Sequence, residues 1–433
     1  MNAERNFERR RLKFVASIND ETLTDETDPD FEIQYVDIGN VDLNGEIKEI
    51  VEYKFSAAPS RARRIARDGD VIISTVRTYL QAIAPIHNPP ENLIVSTGFA
   101  VVRPTFGVLD AGFCKYALRH LPFIHEVMAR SVGVSYPAVN ASDVADIQIP
   151  LPPLEQQQQI ADYLDRETAQ IDALILEKET MLGLLEQKRA ALVSRAVTRG
   201  LNPRVELKDS GLEWLGEIPA HWEVKRLKFL VNTIEQGWSP QCHNTPADPG
   251  TWGVLKTGCV NGGVFREEEN KSLPIEFDPP LDIEVQKGDI LMSRASGSLH
   301  LIGSVAEVEE QPLARLLLSD KTYRFRLNHL NIKGSYLVKL MNSSVGRFQI
   351  RAVISGAEGL ANNIAKTDIF EMVFPLPDIS EQKNINTVID KKLKEDGLLK
   401  KKLLDSISLL RERRSALITA AVTGQLALEE MHA

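Results

Sequence analysis

Cysteine is scarce: Cys114, Cys242 and Cys259 are the three in 433 residues, too few and too scattered for a disulfide framework. Long apolar runs are missing, and none approaches the ~20 residues that cross a bilayer. The first residues, Met1-Asn-Ala-Glu-Arg-Asn-Phe-Glu-Arg-Arg-Arg11, are charged and lack the apolar core of a signal peptide. There is no phosphate-cradling Gly-x-x-x-x-Gly-Lys loop and no nucleophile elbow. These absences exclude a secreted disulfide scaffold and a membrane-embedded chain, and lead us to expect a soluble cytoplasmic protein. The apolar share of 43% and charged share of 26% are ordinary globular values, which excludes a disordered or collagen-like chain. At roughly 150 residues per domain, two to four domains are expected.

The net charge of −9 argues mildly against nucleic acid, but the charge is segregated. Residues 19–52 hold twelve acidic residues and one Lys, whereas residues 55–135 hold nine Lys/Arg and five acidic residues. Residues 311–355 hold eight Lys/Arg and only Asp320 as an acid. A phosphate responds to the field within about a Debye length rather than to the net charge, so DNA stays open as a ligand.

A repeat organises the chain. A shift of 225 residues lays Pro150-Leu-Pro-Pro-Leu-Glu-Gln-Gln157 on Pro375-Leu-Pro-Asp-Ile-Ser-Glu-Gln382 and continues ungapped through about fifty residues. Arg189-Ala-Ala-Leu192 falls on Arg414-Ser-Ala-Leu417, and Ala196-Val-Thr198 on Ala421-Val-Thr423. Upstream, Arg11-Leu-Lys-Phe14 recurs as Arg226-Leu-Lys-Phe229, Gly69-Asp-Val-Ile-Ile-Ser74 as Gly288-Asp-Ile-Leu-Met-Ser293, and Ser142-Asp-Val144 as Thr367-Asp-Ile369. A period this long marks duplication of a half-protein rather than a solenoid.

The matched segments read as helices. Apolar residues at Ile160, Leu164, Ile171, Leu174, Leu182, Leu185 and Leu192 keep a near-heptad rhythm. Prolines precede the run and Gly200 and Pro203 follow it, as helix punctuation requires. Residues 381 to about 423 repeat the pattern, with Gln156, Gln157 and Gln382 as candidate helix starters. Each would be a rod of roughly 65 Å that cannot bury its stripe alone, so an antiparallel coiled coil is expected. The remaining parts carry short β-type runs such as Asp70-Val-Ile-Ile-Ser-Thr-Val76 and Tyr323-Arg-Phe-Arg-Leu327, with helical stretches near 110–129 and 333–350. The fold class is therefore α+β, with twisted, mostly antiparallel sheets. Domains are expected at 1–150, 151–203, 204–374 and 375–433, the second and fourth being the paired helices.

Catalytic patterns fail. Asn88-Pro-Pro-Glu91 and Asp278-Pro-Pro-Leu281 lack the aromatic residue of an amino-methyltransferase loop. Asp30, Glu46 and Lys48 imitate a nuclease carboxylate set, although Asn44-Gly45 suggests a hairpin instead. Cys242-His243 with Cys259 lacks zinc spacing, and His120 and His125 fall on different helix faces. No catalytic residue and no metal site is assigned.

The two-fold pattern, the Pro150–Gln157 and Pro375–Gln382 segments, and the helix ends Leu185-Glu-Gln-Lys-Arg-Ala-Ala-Leu-Val193 and Leu410-Arg-Glu-Arg-Arg-Ser-Ala-Leu-Ile418 resemble the specificity subunit of type I restriction–modification enzymes. So does Lys208-Asp-Ser-Gly-Leu-Glu-Trp-Leu-Gly-Glu-Ile-Pro-Ala-His-Trp222, a leader that the first domain lacks. The resemblance implies two target recognition domains, each reading half of a bipartite, asymmetric site in double-stranded DNA. The helices would fix the spacer and dock two modification (methyltransferase) subunits, with restriction (translocase/endonuclease) subunits further out. S-adenosylmethionine, ATP and Mg would sit on those partners, and this chain would bind no cofactor and no membrane.

Candidate DNA contacts are the loops after the matched strands: Ser74, Thr75, Arg77 and Thr78, with Ser293, Arg294, Ser296 and Ser298. Arg61, Arg63, Arg64 and Arg67 form a basic run at helical spacing that suits phosphates. The loops 131–136 (with Ser135 and Tyr136) and 355–359, together with Asn140, Asn362 and Asn363, complete the set. The competing readings are a structural coiled-coil adaptor that binds proteins and a metal-dependent nuclease built on Asp30, Glu46 and Lys48.

Overall fold

The computed structural model describes residues 7–355 and 362–432. The chain divides into two compact units, Met1–Thr180 with Leu403–Ala433, and Met181–Lys402.

In the first unit the strand Val71–Ser74 is buried at every position, as its apolar run requires of a strand covered on both faces. It is central in an antiparallel sheet with the spatial order Ala16–Ile18, Phe99–Pro104, Val71–Ser74, Ile83–Pro85. A second four-stranded sheet runs Val51–Lys54, Glu32–Val36, Leu93–Ser96, Ala62–Ile65, and Glu32–Val36 pairs parallel to Leu93–Ser96. The second unit repeats the first sheet as Val231–Gln236, Thr322–Leu327, Ile290–Ser293, Val305–Glu307. Its other sheet has three strands, Asn270–Ser272, Trp252–Leu255 and Arg315–Leu317, again with one parallel pair. Most pairs are antiparallel, as expected.

Both helical stretches expected from the sequence are broken in two. The first becomes Ala111–Ala117 and Leu121–Ala129, because Asp110 caps one helix and Pro122 sits in the first turn of the next. The second becomes Gly334–Asn342 and Ser344–Val353, with Ser343 capping the latter. Gly346 fits there because a Cβ would lie 2.2 Å from the Met341 carbonyl oxygen.

His120 closes the first break. It is buried, its Nδ1 lies 2.7 Å from the Ala117 carbonyl, and its Nε2 has no partner. Burial pushes its pKa down to about 4 from 6.5. The unfolded chain therefore takes up a proton near pH 6.5 that the folded chain refuses until about pH 4, so stability falls as pH drops through that window. Urea unfolding should record a loss of about 2 kcal/mol between pH 7 and pH 5 in excess of that in His120→Gln. Equal losses in the two proteins would refute this.

The long helices run Leu154–Arg199 and Ile379–Thr423. Each is followed by a glycine of positive φ, Gly200 at 71° and Gly424 at 77°, which ends the helix without the strain a side chain would carry there. In the first unit Ile160 and Leu164 share a core with Ile418, Ala421 and Val422. In the second unit the repeat-related Ile385 and Ile389 share one with Ala196 and Val197. The helices pair antiparallel: Arg414 meets Asp172 and Arg411 meets Glu179 at 2.9 Å within the first unit, and Lys400 meets Glu186 at 2.8 Å within the second. Such exposed pairs report register and contribute little stability. Leu174, expected in the seam, is 45% exposed instead, and its repeat mate Leu399 is 43% exposed. The buried stripe is carried by residues such as Ile171, Leu185, Leu403 and Ile407.

Candidate nucleic-acid interface

The repeated motifs are the framework on which the candidate loops stand. Leu12 and Leu227 are fully buried, and each donates its N–H to the carbonyl of the residue just before a matched strand, Leu12 to Ile147 before Gln148–Pro150 and Leu227 to Met372 before Val373–Leu376. Beside them Lys13 pairs with Asp146 and Lys228 with Glu371, both at 2.7 Å. Asp146 and Glu371 are held below the usual carboxylate range by those lysines. The aromatic residues that close the motif, Phe14 and Phe229, are exposed in both units.

Gln157 and Gln382 are buried and do not start the helices by capping; each ties its long helix both to the loop before it and to the segment that leads into a short helix, Ala111–Ala117 or Gly334–Asn342. The Gln157 Oε1 accepts from Asp110 N–H at 2.8 Å, and its Nε2 donates to the Val108 and Pro152 carbonyls. Gln382 repeats this with Lys333 N–H and the Asn331 and Pro377 carbonyls. Gln156 is only half-buried. In the second unit the leader adds a clasp: Trp222 is fully buried and donates its Nε1–H to Glu381 at 3.0 Å, and Trp214 stacks on Phe348.

The strand Val71–Ser74 delivers the first loop. Ser74 and Thr78, expected as contacts, are buried and used internally: the Ser74 hydroxyl donates to the Val76 carbonyl, and the Thr78 hydroxyl lies 2.7 Å from that of Ser131. Thr75 donates both its N–H and its hydroxyl to the Gly98 carbonyl at 2.8 Å. A Cβ at Gly98 would lie 2.4 Å from Ile38 Cδ1, so a side chain there would have to push that methyl aside. Arg77 is exposed, adopts φ 52° and donates its N–H to the Pro137 carbonyl at 2.7 Å. Its guanidinium lies 4.8 Å from the Tyr136 ring centroid. The loops 74–81 and 131–140 are thus brought together, closed by the bridge Val76↔Ala138 and the bond from Val139 N–H to the Thr75 carbonyl. Ser135, Tyr136 and Asn140 are exposed there, and Asn140 donates to Asp143.

The second unit repeats this closure. Ala295–Ser296 pairs with Asn362–Asn363, and Ile364 N–H donates to the Arg294 carbonyl at 3.1 Å. By these bonds Arg294 is the counterpart of Thr75, and Ser296 that of Arg77. Arg294 is half-buried, donates to the Asp320 carbonyl and lies over the Tyr323 ring, so it supports the loop more than it faces outward. Ser293 and Asn362 are buried, whereas Ser296, Ser298 and Asn363 are partly exposed. Of the 355–359 loop, residues 356–359 lie outside the described residues.

The basic run is not helical. Residues Ala62–Ile65 form a strand antiparallel to Leu93–Ser96, because a sheet partner thirty residues away overrides the local spacing of charges. Arg67 pairs with Glu21 at 2.5 Å, Arg63 with Asp25 at 3.5 Å, and Arg64 donates to the Thr22 hydroxyl. Arg61 alone of the four is exposed without such a partner among the described residues. The acid-rich segment therefore neutralises much of the basic one. The Thr97–Gly98 corner, which joins Arg61 to the 74–81 loop, escaped the sequence reading; a Ser96-Thr-Gly98 break between two apolar runs was its signal.

The carboxylates of the nuclease reading stand apart in use. Asp30 pairs with Lys54 at 3.0 Å, while Lys48 pairs with Asp42 and Glu46 around a hairpin in which Gly45 has φ 78°. Among the described residues no three His, Cys, Asp or Glu gather as a metal site. Burial raises the thiols of Cys114 and Cys259, the latter to about 12, so neither is an activated nucleophile.

Residues 4–180 match the family described as type I restriction modification DNA specificity domain. The chain is 30% identical over 243 residues to the EcoEI specificity subunit of Escherichia coli, an alignment covering 56% of this chain and 40% of that protein. It is 23% identical over 329 residues to the EcoKI specificity subunit of Escherichia coli (strain K12), covering 75% and 68%. It is 26% identical over 325 residues to the MjaVIII specificity subunit of Methanocaldococcus jannaschii, covering 71% of each. A solved chain from work on assembly and conformational transition of the type I R-M system has the same fold, with TM-score 0.71 at 23% identity over 98% of this chain and 100% of that one.

Proposed function

Because the chain belongs to the type I restriction–modification specificity subunits, we propose that it is the non-catalytic DNA-reading subunit of such a complex in the cytoplasm. Each unit reads one half of a bipartite, asymmetric site in double-stranded DNA. The observation that carries this reading is the pair of loop closures: the same backbone bonds hold Thr75–Arg77 and Arg294–Ser296, yet the side chains presented differ. A shared frame with different polar tips suits two readers of different sequences.

The long helices set the spacer and dock two modification subunits, with restriction subunits further out; S-adenosylmethionine, ATP and Mg belong to those partners. What the helices expose supports the docking. Leu174 and its mate Leu399 are similarly exposed, and so are Leu184 and Leu409, at 59% and 64%. Each unit carries one leucine of each pair, as two copies of one partner would require.

Long-read detection of methylated adenine, in DNA from a host expressing this chain with its modification subunit, tests the reading. The expected result is one bipartite motif with a fixed gap. Removing seven residues within Leu154–Arg199 should shorten the gap or abolish methylation; an unchanged motif would refute the spacer role. An assembled, cofactor-binding complex that marks no motif would refute DNA reading.

A further inference from the structure

Between residues 7 and 130 the sequence has fifteen lysines and arginines, and the fold commits thirteen of them to ion pairs or side-chain hydrogen bonds. The two left over are Arg61 and Arg77, both exposed. They stand at one corner of the first unit. The Arg61 carbonyl accepts from Thr97 N–H at 2.8 Å, the adjoining Gly98 carbonyl accepts from Thr75, and Arg77 follows two residues later.

The two arginines are held differently. Arg77 has a left-handed backbone that non-glycine residues adopt rarely and at a cost. Its N–H is fixed on Pro137, and its guanidinium is braced by the Tyr136 face. A braced fork with unused in-plane donors is preorganised for a planar, two-acceptor partner. Beside it stand exposed Val132, Val134 and Tyr79, which suit sugar and base edges and would gain nothing from a phosphate. Arg61 is exposed and carries no stacked ring among the described residues, which suits a phosphate charge.

We infer that Arg77 reads a guanine through its N7 and O6 in the half-site bound by the first unit, with Tyr136 as its positioning residue and Arg61 on a neighbouring phosphate. This rests on the DNA-reading function proposed above. The counterpart of Arg77 in the second unit is Ser296, so the contact belongs to one half-site only and contributes to the asymmetry of the site.

The test is enrichment of a randomised duplex DNA pool by the full chain assembled with its modification subunits, followed by affinity measurements on the enriched sequence and its single-base variants. A wild-type motif with guanine fixed at one position is expected in the first half-site. Arg77→Lys keeps the charge and loses the fork, and should lower discrimination at that position by about 10- to 100-fold. Tyr136→Phe should retain discrimination and Tyr136→Leu should lose part of it. Arg61→Ala should weaken every sequence equally and reduce the salt slope by about one phosphate contact. All four substitutions are at the surface, and thermal unfolding should match wild type. An unchanged motif in Arg77→Lys, a first half-site without fixed guanine, or altered base preference in Arg61→Ala would overturn the assignment while leaving DNA reading intact. Failure of the wild-type assembly to enrich any motif would overturn DNA reading itself and the assignment with it.

Discussion

Replacing Arg324 with Ala is expected to destabilise the second unit by about 3–5 kcal/mol, the cost of removing one partner from a buried ionic cluster. Arg324 is 1% exposed. It donates to Glu235 at 2.6 Å, to Asp289 at 3.1 Å, and to the carbonyls of Glu284 and Asp282 at 2.7 and 2.6 Å. Four acceptors from three separate segments thus converge on one side chain in the middle of a strand. Arg326 stays within reach of Glu235 and Asp289, so the carboxylates keep a cation, but the two carbonyls lose their donor and a cavity opens beside Leu291, which faces Arg324 across the ladder. Arg324→Met restores most of the stem volume and should recover part of the loss, separating packing from polar terms. Native-state hydrogen exchange of Ile290–Ser293 is the measurement; protection within 1 kcal/mol of wild type in Arg324→Ala would refute the prediction. The first unit does without a buried arginine here: Arg324 sits at the register of Val101, and Arg103 alone reaches Asp70 at 2.8 Å.

The second large effect concerns the paired glutamines. Gln157→Ala and Gln382→Ala should each cost about 3 kcal/mol, since each removes a fully used amide and leaves one N–H and two carbonyls unsatisfied in a buried turn. The two glutamines use the same set of one N–H and two carbonyls, so the costs should agree to within about 1 kcal/mol. Exchange at the start of each long helix, Leu154–Arg199 and Ile379–Thr423, resolves them separately. A loss below 0.5 kcal/mol at both sites would show that water replaces the amide without penalty.

Much of this architecture is legible in the residues alone. The 225-residue offset and the heptad rhythm put both long helices in place to within two residues of their observed ends, because helical periodicity is a local property that repeats every turn. The strands Val71–Ser74 and Ile290–Ser293 were legible for the same reason, as short apolar runs behind a Gly-Asp turn. The loops that follow them were legible as a pair because the strands themselves match, and the loops 131–136 and 355–359 because each precedes a matched Asp-Val or Asp-Ile segment.

The state of each side chain was not. Spacing puts Arg61, Arg63, Arg64 and Arg67 on a helix face as readily as on a strand, and the choice came from pairing with Leu93–Ser96. Leu174 fits the heptad and yet faces outward, because a stripe three or four residues apart is wider than the seam one partner helix covers. The strand match already sets Arg294 against Thr75, but only the fold shows that Arg294 turns inward onto the Asp320 carbonyl while Arg77 stays exposed. By itself, then, the sequence determined the duplication, the two long helices and the position of the loops, all of which rest on local patterns repeated along the chain. Only the tertiary structure decided which charges remain free to meet a ligand. Glu21 reaches Arg67 across 46 residues and Arg103 across 82, and Asp25 and Thr22 take Arg63 and Arg64. A cation's availability depends on acids brought to it by the fold, and no spacing along the chain encodes that.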